Sequence, residues 1–85
     1  MNQEISKRII GVISRVQQIA RDDIKIDSTL EELGLDSFDG INLLFALEDE
    51  FNITLPDEAK EIRTVHGIML VIQQVLENQL AVLAD

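Results

Sequence analysis

The sequence has 85 residues, a formal net charge of -9 and no cysteine. A chain of this length forms one domain around a single modest core, and the lack of cysteine excludes disulfides, thiolate metal sites and a cysteine nucleophile. The acidic balance opposes binding to nucleic acid or to anionic membranes. Because 46% of the residues are apolar and only 4% aromatic, we expect an ordered helical core. No secretory signal or membrane-spanning run is evident, so we expect a cytoplasmic protein. We also expect a monomer.

The first predicted helix starts at Asn2, a residue type that caps helices. Arg21-Asp22-Asp23 marks its expected exit. Apolar residues recur at three- and four-residue spacing and define the expected core face: Ile5, Ile9, Val12, Ile13, Val16, Ile19 and Ala20. This pattern is typical of an amphipathic helix in a bundle.

From residue 22 to residue 35 the sequence has no sustained period, and a loop of this length in a small domain usually has a function. Asp27, Ser28 or Thr29 is expected to cap a single turn, which Gly34 closes in the left-handed conformation. Five apolar residues are spaced to fasten the loop to the core: Ile24, Ile26, Leu30, Leu33 and Leu35.

A second helix is predicted from Asp36, its N-cap, to Phe51, with Asp39 at the acidic capping-box position. Ser37 is then the first helical residue. Its side chain should project into solvent at the positive end of the helix dipole, where a phosphate is favoured. Ser37 is therefore a candidate attachment point, although serine also occurs at helix starts simply as a capping residue.

The apolar residues of this helix fall into two clusters. Leu43, Leu47 and Phe51 should face the core, with Leu44 near the boundary. The second cluster and its polar rim should be at least partly exposed, although a surrounding bundle would bury it. We call this second cluster and rim the docking face, because an apolar patch with an acidic rim is typical of partner binding: Phe38, Ile41 and Phe45, rimmed by Asp39, Asn42, Glu48 and Asp49.

Charge reinforces this prediction, because no Lys or Arg lies between Ile26 and Ala59 whereas ten acidic residues do. Such a segment should steer basic partners towards Ser37.

Pro56 should open a short third helix, Asp57 to Ile62, because proline suits the start of a helix. Thr64 is expected to cap a last helix, with this apolar series: Val65, Ile68, Met69, Ile72, Val75, Leu76 and Leu80. Four further apolar residues would pack a tail, line a cavity or meet a partner, and we favour simple packing: Leu70, Val71, Val82 and Leu83. The expected fold is an all-α four-helix bundle with three longer helices and one short third helix.

Catalytic and metal sites are not expected. His66 is the only histidine, and a Ser37–His66 pair would still need an orienting group and an oxyanion hole. We expect His66 on the solvent side of the last helix. The acidic residues lack the ligand pattern and glycine of a calcium loop.

The segment Leu33-Gly34-Leu35-Asp36-Ser37-Phe38, followed by Ala46 to Phe51, Ile53 and Leu55-Pro56-Asp57-Glu58, resembles the acyl carrier protein family. The resemblance extends from about Ile5 to Leu76. It implies that Ser37, in its motif with Asp36, carries a covalent 4′-phosphopantetheine, attached from coenzyme A by a phosphopantetheinyl transferase that uses magnesium. Acyl groups would be held on its thiol as thioesters and shelter between the helices. The chain would be a carrier and not an enzyme.

The resemblance also implies partners: acyl-loading and acyl-modifying enzymes with basic docking patches. We expect one carrier domain over residues 1–85, with a core of about 4–77 and an apolar extension over 78–85. Phe38 replaces the usual leucine of the family, and Asn42 replaces the glutamate usual in fatty-acid carriers. These departures favour a specialised pathway, such as a polyketide or dedicated acyl-modifying cluster, over bulk fatty-acid synthesis.

Two other functions stay open. One is a stand-alone aminoacyl or peptidyl carrier, which Glu48, Asp49 and Glu50 disfavour because such carriers are generally less acidic in the second helix. The other is an unmodified helical adaptor that uses only the docking face.

Overall fold

A computed structural model of the chain describes residues 2–84 and the side chains of residues 4–79. This part of the chain forms α1 (Asn2–Gln17), α2 (Ser37–Phe51) and α3 (Val65–Ala84), with 3-10 helices at Arg21–Asp23 and Asp57–Glu61. Its described residues form no strand, and one isolated antiparallel bridge joins Thr29 to Thr64. The fold is all-helical, as the sequence predicts.

The expected short third helix is a 3-10 helix that ends at Glu61, one residue before the predicted Ile62. Pro56 caps it in an extended conformation. Its described bonds, from Ala59 N–H to the Pro56 carbonyl and from Ile62 N–H to the Ala59 carbonyl, each span three residues. The described residues thus contain three α-helices, because the hydrogen bonds of this five-residue segment are of the 3-10 type and not the α type.

Helix α1 begins at Asn2 itself, whose side chain lies outside those described. It ends at Gln17, before the expected exit, because Gln18 takes a left-handed φ of 55°. The Ile19 N–H then bonds the Ser14 carbonyl at 3.2 Å, as in a Schellman closure. Val16, predicted for the core, lies in the last turn of α1 and is 39% exposed. Ala20, beyond the helix, is also exposed.

The loop after α1 is held against the start of α3. The Leu30 N–H bonds the Arg63 carbonyl at 2.7 Å, and the Val65 N–H bonds the Ser28 carbonyl at 3.1 Å. The prediction that apolar residues fasten this loop is confirmed for Ile24, Leu30, Leu33 and Leu35, which are buried. It is wrong for Ile26, which is 38% exposed because it lies at a surface turn.

The two predicted faces of α2 are confirmed. Leu43 and Leu47 are fully buried, and Phe51 and Leu44 are each 8% exposed. Burial of one such leucine contributes about 1.5–3 kcal/mol. The core joins α1, the loop, α2 and α3 through these buried residues: Ile9, Val12, Ile13, Ile24, Leu30, Leu33, Leu35, Leu43, Leu47, Phe51, Ile53, Val65, Ile68, Met69 and Ile72.

Helix α3 has the predicted cap, because Thr64 Oγ1 accepts a bond from the Gly67 N–H at 3.0 Å. Its predicted core residues are buried up to Ile72, and Val75 and Leu76 pack partly against them. Simple packing is wrong for Leu70, which is 50% exposed. The side chains of Leu80, Val82 and Leu83, which belong to the predicted apolar extension, lie outside those described.

Candidate functional site

The turn before Ser37 is closed at both ends by hydrogen bonds. Thr29 is its cap: the Glu32 N–H donates to Thr29 Oγ1 at 3.1 Å, and the Thr29 N–H donates to Glu32 Oε1 at 2.9 Å. This is a complete capping box. The Thr29 N–H, and after it the Thr29 hydroxyl, hold the pKa of the exposed Glu32 carboxyl below its usual range.

The other end of this turn is a Schellman motif around Gly34, which takes the predicted left-handed conformation with φ 84°. The Gly34 N–H bonds the Glu31 carbonyl at 3.0 Å, and the Leu35 N–H bonds the Leu30 carbonyl at 2.9 Å. Because both ends are fixed, the turn determines where the following residues, Asp36 and Ser37, lie.

Helix α2 starts as predicted, with Asp36 as the cap and Ser37 as the first helical residue. Asp36 Oδ1 accepts a bond from the Asp39 N–H at 2.8 Å. The reciprocal bond of a capping box, from the Asp36 N–H to the Asp39 carboxylate, is not formed among the described residues. The backbone N–H groups of Ser37 and Phe38 precede the first intrahelical bonds and remain available as donors.

Ser37 is exposed and lies on a surface groove of about 510 Å³. The groove wall is formed by the closed turn, the start of α2 and Arg63: Leu30, Glu31, Gly34, Leu35, Asp36, Ser37 and Arg63. An exposed hydroxyl next to free N–H groups, in a groove that Arg63 also lines, suits a covalently attached phosphate. The residues present therefore fit a phosphate-linked group at Ser37.

The apolar part of the docking face is exposed along one side of α2. Phe38 is 69% and Phe45 57% exposed, and Ile41 between them is half-buried. Asn42 and Asp49 of its rim are exposed, and Asp39 is partly exposed. The alternative in which the bundle buries this cluster is therefore wrong, whereas its use in partner binding stays a prediction.

Two acidic residues of α2 have structural partners that the sequence did not reveal. Glu48 Oε2 accepts a bond from the Leu55 N–H at 2.7 Å and so holds the loop after α2. Glu50 pairs with Arg8, whose Nε lies 3.1 Å from Glu50 Oε2. The Arg8 guanidinium also lies 4.3 Å from the centre of the Phe51 ring.

His66 is exposed in the first turn of α3, as expected. Among the described residues, no group of three or more His, Cys, Asp or Glu side chains is arranged to hold a metal ion. No helix in that same part of the chain combines the length and apolar character needed to cross a membrane.

Comparison with known proteins gives one family and two relatives. Residues 7–78 match the family model described as the phosphopantetheine attachment site. The acyl carrier protein of Campylobacter hominis is 33% identical over 78 residues, which cover 89% of this chain and 99% of that protein. The mitochondrial acyl carrier protein of Dictyostelium discoideum is 43% identical over 56 residues, 66% of this chain, and the match spans 47% of that relative's length.

Proposed function

Since this chain belongs to the acyl carrier protein family, we propose that Ser37 is the residue to which its 4′-phosphopantetheine is attached. When bound, this group supplies a thiol that holds acyl groups as thioesters, and the cysteine-free chain has no thiol of its own. The observation that carries the proposal is the exposure of Ser37 at the first position of α2. We further propose that the 3-10 helix Asp57–Glu61 takes the place of the short helix in a four-helix carrier domain.

Each residue at the start of α2 has a separate part in this proposal. Asp36 fixes the first turn through its bond with Asp39. Ser37 contributes only its hydroxyl oxygen, and the free N–H groups of Ser37 and Phe38 favour a negative charge beside it. The base and the magnesium ion belong to a phosphopantetheinyl transferase, so the chain itself catalyses nothing.

The test is the intact mass of the protein after incubation with coenzyme A, magnesium and a promiscuous phosphopantetheinyl transferase. Wild type should gain one phosphopantetheine, Ser37→Ala should gain none, and Ser14→Ala should gain one. Ser14 is a matched control because its hydroxyl bonds the Ile19 carbonyl at the end of α1. No gain in wild type, or an undiminished gain in Ser37→Ala, would reject Ser37 as the attachment residue.

We also propose that the docking face binds basic patches on the transferase and on acyl-loading and acyl-modifying enzymes. Supporting this, Phe38 and Phe45 are the two most exposed of the large apolar side chains described, and they lie in a segment without Lys or Arg. Asp39, Asn42 and Asp49 offer free polar groups, whereas Glu48 already holds Leu55 with one oxygen.

Phe45→Ala tests the docking face, with Leu70→Ala as its control because Leu70 is comparably exposed, but on α3. If Phe45 is an anchor, its removal should raise the KM of the transferase for this protein about fivefold or more. Leu70→Ala should leave that KM unchanged. Equal effects of the two substitutions would contradict docking through α2.

For the acyl chain itself we propose an entry between α2 and the second 3-10 helix. A groove of about 240 Å³ lies there, with apolar walls that include Ile41, Leu44, Phe45 and Leu55. Moving an acyl chain into it would remove apolar surface from water at about 25 cal/mol per Å².

The acyl carrier names of both relatives favour acyl groups over aminoacyl or peptidyl groups. Loading assays with acyl and aminoacyl donors, run on the modified protein, separate these two classes. The pathway, fatty-acid or polyketide, stays a prediction. So does a cytoplasmic location, and one relative is named as mitochondrial.

A further inference from the structure

Arg63 and Ser37 line the same groove although they are 26 positions apart in the sequence. Main-chain bonds hold Arg63 there. Its carbonyl accepts the Leu30 N–H at 2.7 Å, and the adjacent bridge joins Thr29 to Thr64. These bonds fasten Arg63 to the same turn that positions Ser37. The two residues are therefore held on one groove by main-chain contacts that do not involve the guanidinium.

Arg63 is the only basic residue among the described residues that line this groove, and Glu31 and Asp36 line it as well. Among the described residues its guanidinium has no ion pair and no side-chain hydrogen bond. The sequence around Ser37 offers no other cation, because no Lys or Arg lies between Ile26 and Ala59. An anion attached to Ser37 would thus share this groove with two acidic residues and one basic residue.

We propose that Arg63 is a positioning residue that binds the phosphodiester linked to Ser37. This inference rests on the attachment at Ser37 proposed above. A guanidinium offers a rigid pair of N–H donors that matches the oxygens of a phosphate, and its charge offsets the repulsion from Glu31 and Asp36. Together with the free N–H groups of Ser37 and Phe38, it would fix the direction in which the attached arm leaves the protein.

The test uses the purified protein in its unmodified and phosphopantetheine-bearing forms, away from any transferase. In 15N-resolved NMR spectra, the Arg63 Nε–H signal should shift on modification, and the Arg15 Nε–H signal should not. The 31P transverse relaxation of the modified protein should be slower in Arg63→Gln than in wild type, because the phosphodiester becomes more mobile. Arg63→Lys should fall between them, since it keeps the charge but loses the paired donors.

Arg15→Gln is the matched control, because it removes the same charge from an exposed residue of α1 outside this groove. Its 31P relaxation should equal that of wild type. An unshifted Arg63 signal, or equal 31P relaxation in Arg63→Gln and Arg15→Gln, would overturn the role of Arg63 while leaving the attachment at Ser37 intact. Failure of wild type to gain mass would instead reject the attachment itself.

Discussion

Two caps that lie seven residues apart in the sequence, Thr29 and Asp36, differ in how many of their hydrogen bonds are formed. Each has an acidic residue three positions later, Glu32 and Asp39. At Thr29 both bonds of the capping box are present. At Asp36 only one is formed, and the N–H groups at the start of α2 stay exposed. The same pair of residue types thus closes the turn that Thr29 caps and leaves the first turn of α2, capped by Asp36, open. We call these the closed turn and the open turn.

This difference separates a structural role from a functional one. The closed turn, which Thr29 caps, ends in the Schellman motif at Gly34 and is joined to Arg63 by the bond from the Leu30 N–H, so main-chain bonds hold it in place before Ser37. The open turn retains donors and a positive dipole end for an added anion. A rigid segment followed by an unsatisfied helix start is what a reproducible attachment point requires.

Gly34→Ala is expected to have the largest effect on stability, because Gly34 holds a φ of 84° that other residues adopt at a cost. The penalty for a side chain in this conformation is about 1–2 kcal/mol, and space is not limiting, since an added Cβ would lie 3.7 Å from Gln17 Nε2. Urea unfolding followed by circular dichroism measures the change. A stability equal to that of wild type would show that the Schellman closure is not needed.

Thr29→Ala and Asp36→Ala test the comparison directly. Thr29→Ala removes the half-buried hydroxyl that accepts the Glu32 N–H and should lower the free energy of unfolding by about 1 kcal/mol. Asp36→Ala also removes one bond, but at an exposed helix end, so it should cost less, with faster amide exchange confined to the first turn of α2. Urea unfolding and hydrogen exchange distinguish the two. If Asp36→Ala were the more destabilising, the closed turn would not be the main support of the site.

The sequence predicted what depends on local rules. The start of α2 at Ser37 follows from capping by Asp36, and the burial of Leu43 with exposure of Phe45 follows from helical periodicity. Residues near chain reversals were less predictable. Val16 and Ile26 were predicted to be buried but are exposed, because the spacing of apolar residues does not show where the adjacent turns lie.

Contacts between distant residues were missed altogether. The Arg8–Glu50 pair joins residues 42 positions apart, and neither residue carries a local signal for the other. Arg63 reaches the groove of Ser37 only through the bridge between Thr29 and Thr64. Such pairings are set by how the helices and the loop pack together, so a single sequence did not reveal them.

Gly40→Ala should sharpen the contrast by stabilising the open turn. An alanine Cβ at this helical position would lie 3.9 Å from Leu30 Cδ1, an ordinary contact, and alanine favours a helix by up to about 1 kcal/mol over glycine. Gly67→Ala is the control, because its Cβ would lie 2.7 Å from Ile62 Cγ2 and should destabilise the protein. Destabilisation by both substitutions would mean that the start of α2 has no room for added packing.

The smallest expected effect is the pH dependence of the free energy of unfolding that the Glu32 carboxyl causes. Bonds from Thr29 lower the pKa of this carboxyl in the folded protein from its usual 4.5, so its stabilising charge is fully present above that value and is lost as the pH falls through the lowered pKa. Glu32→Gln keeps an acceptor for the Thr29 N–H but removes the charge. The difference in unfolding free energy between wild type and Glu32→Gln should therefore be constant near neutral pH and shrink below about 4.5.

Glu31→Gln is the control for that measurement. It removes the same negative charge from an acidic chain, and so relieves the same general repulsion, without touching the bonds between Thr29 and Glu32. If Glu32→Gln and Glu31→Gln followed the same course between pH 7 and pH 3, the capping bond would contribute nothing specific. The closed turn would then be held mainly by Gly34 and the main-chain bonds.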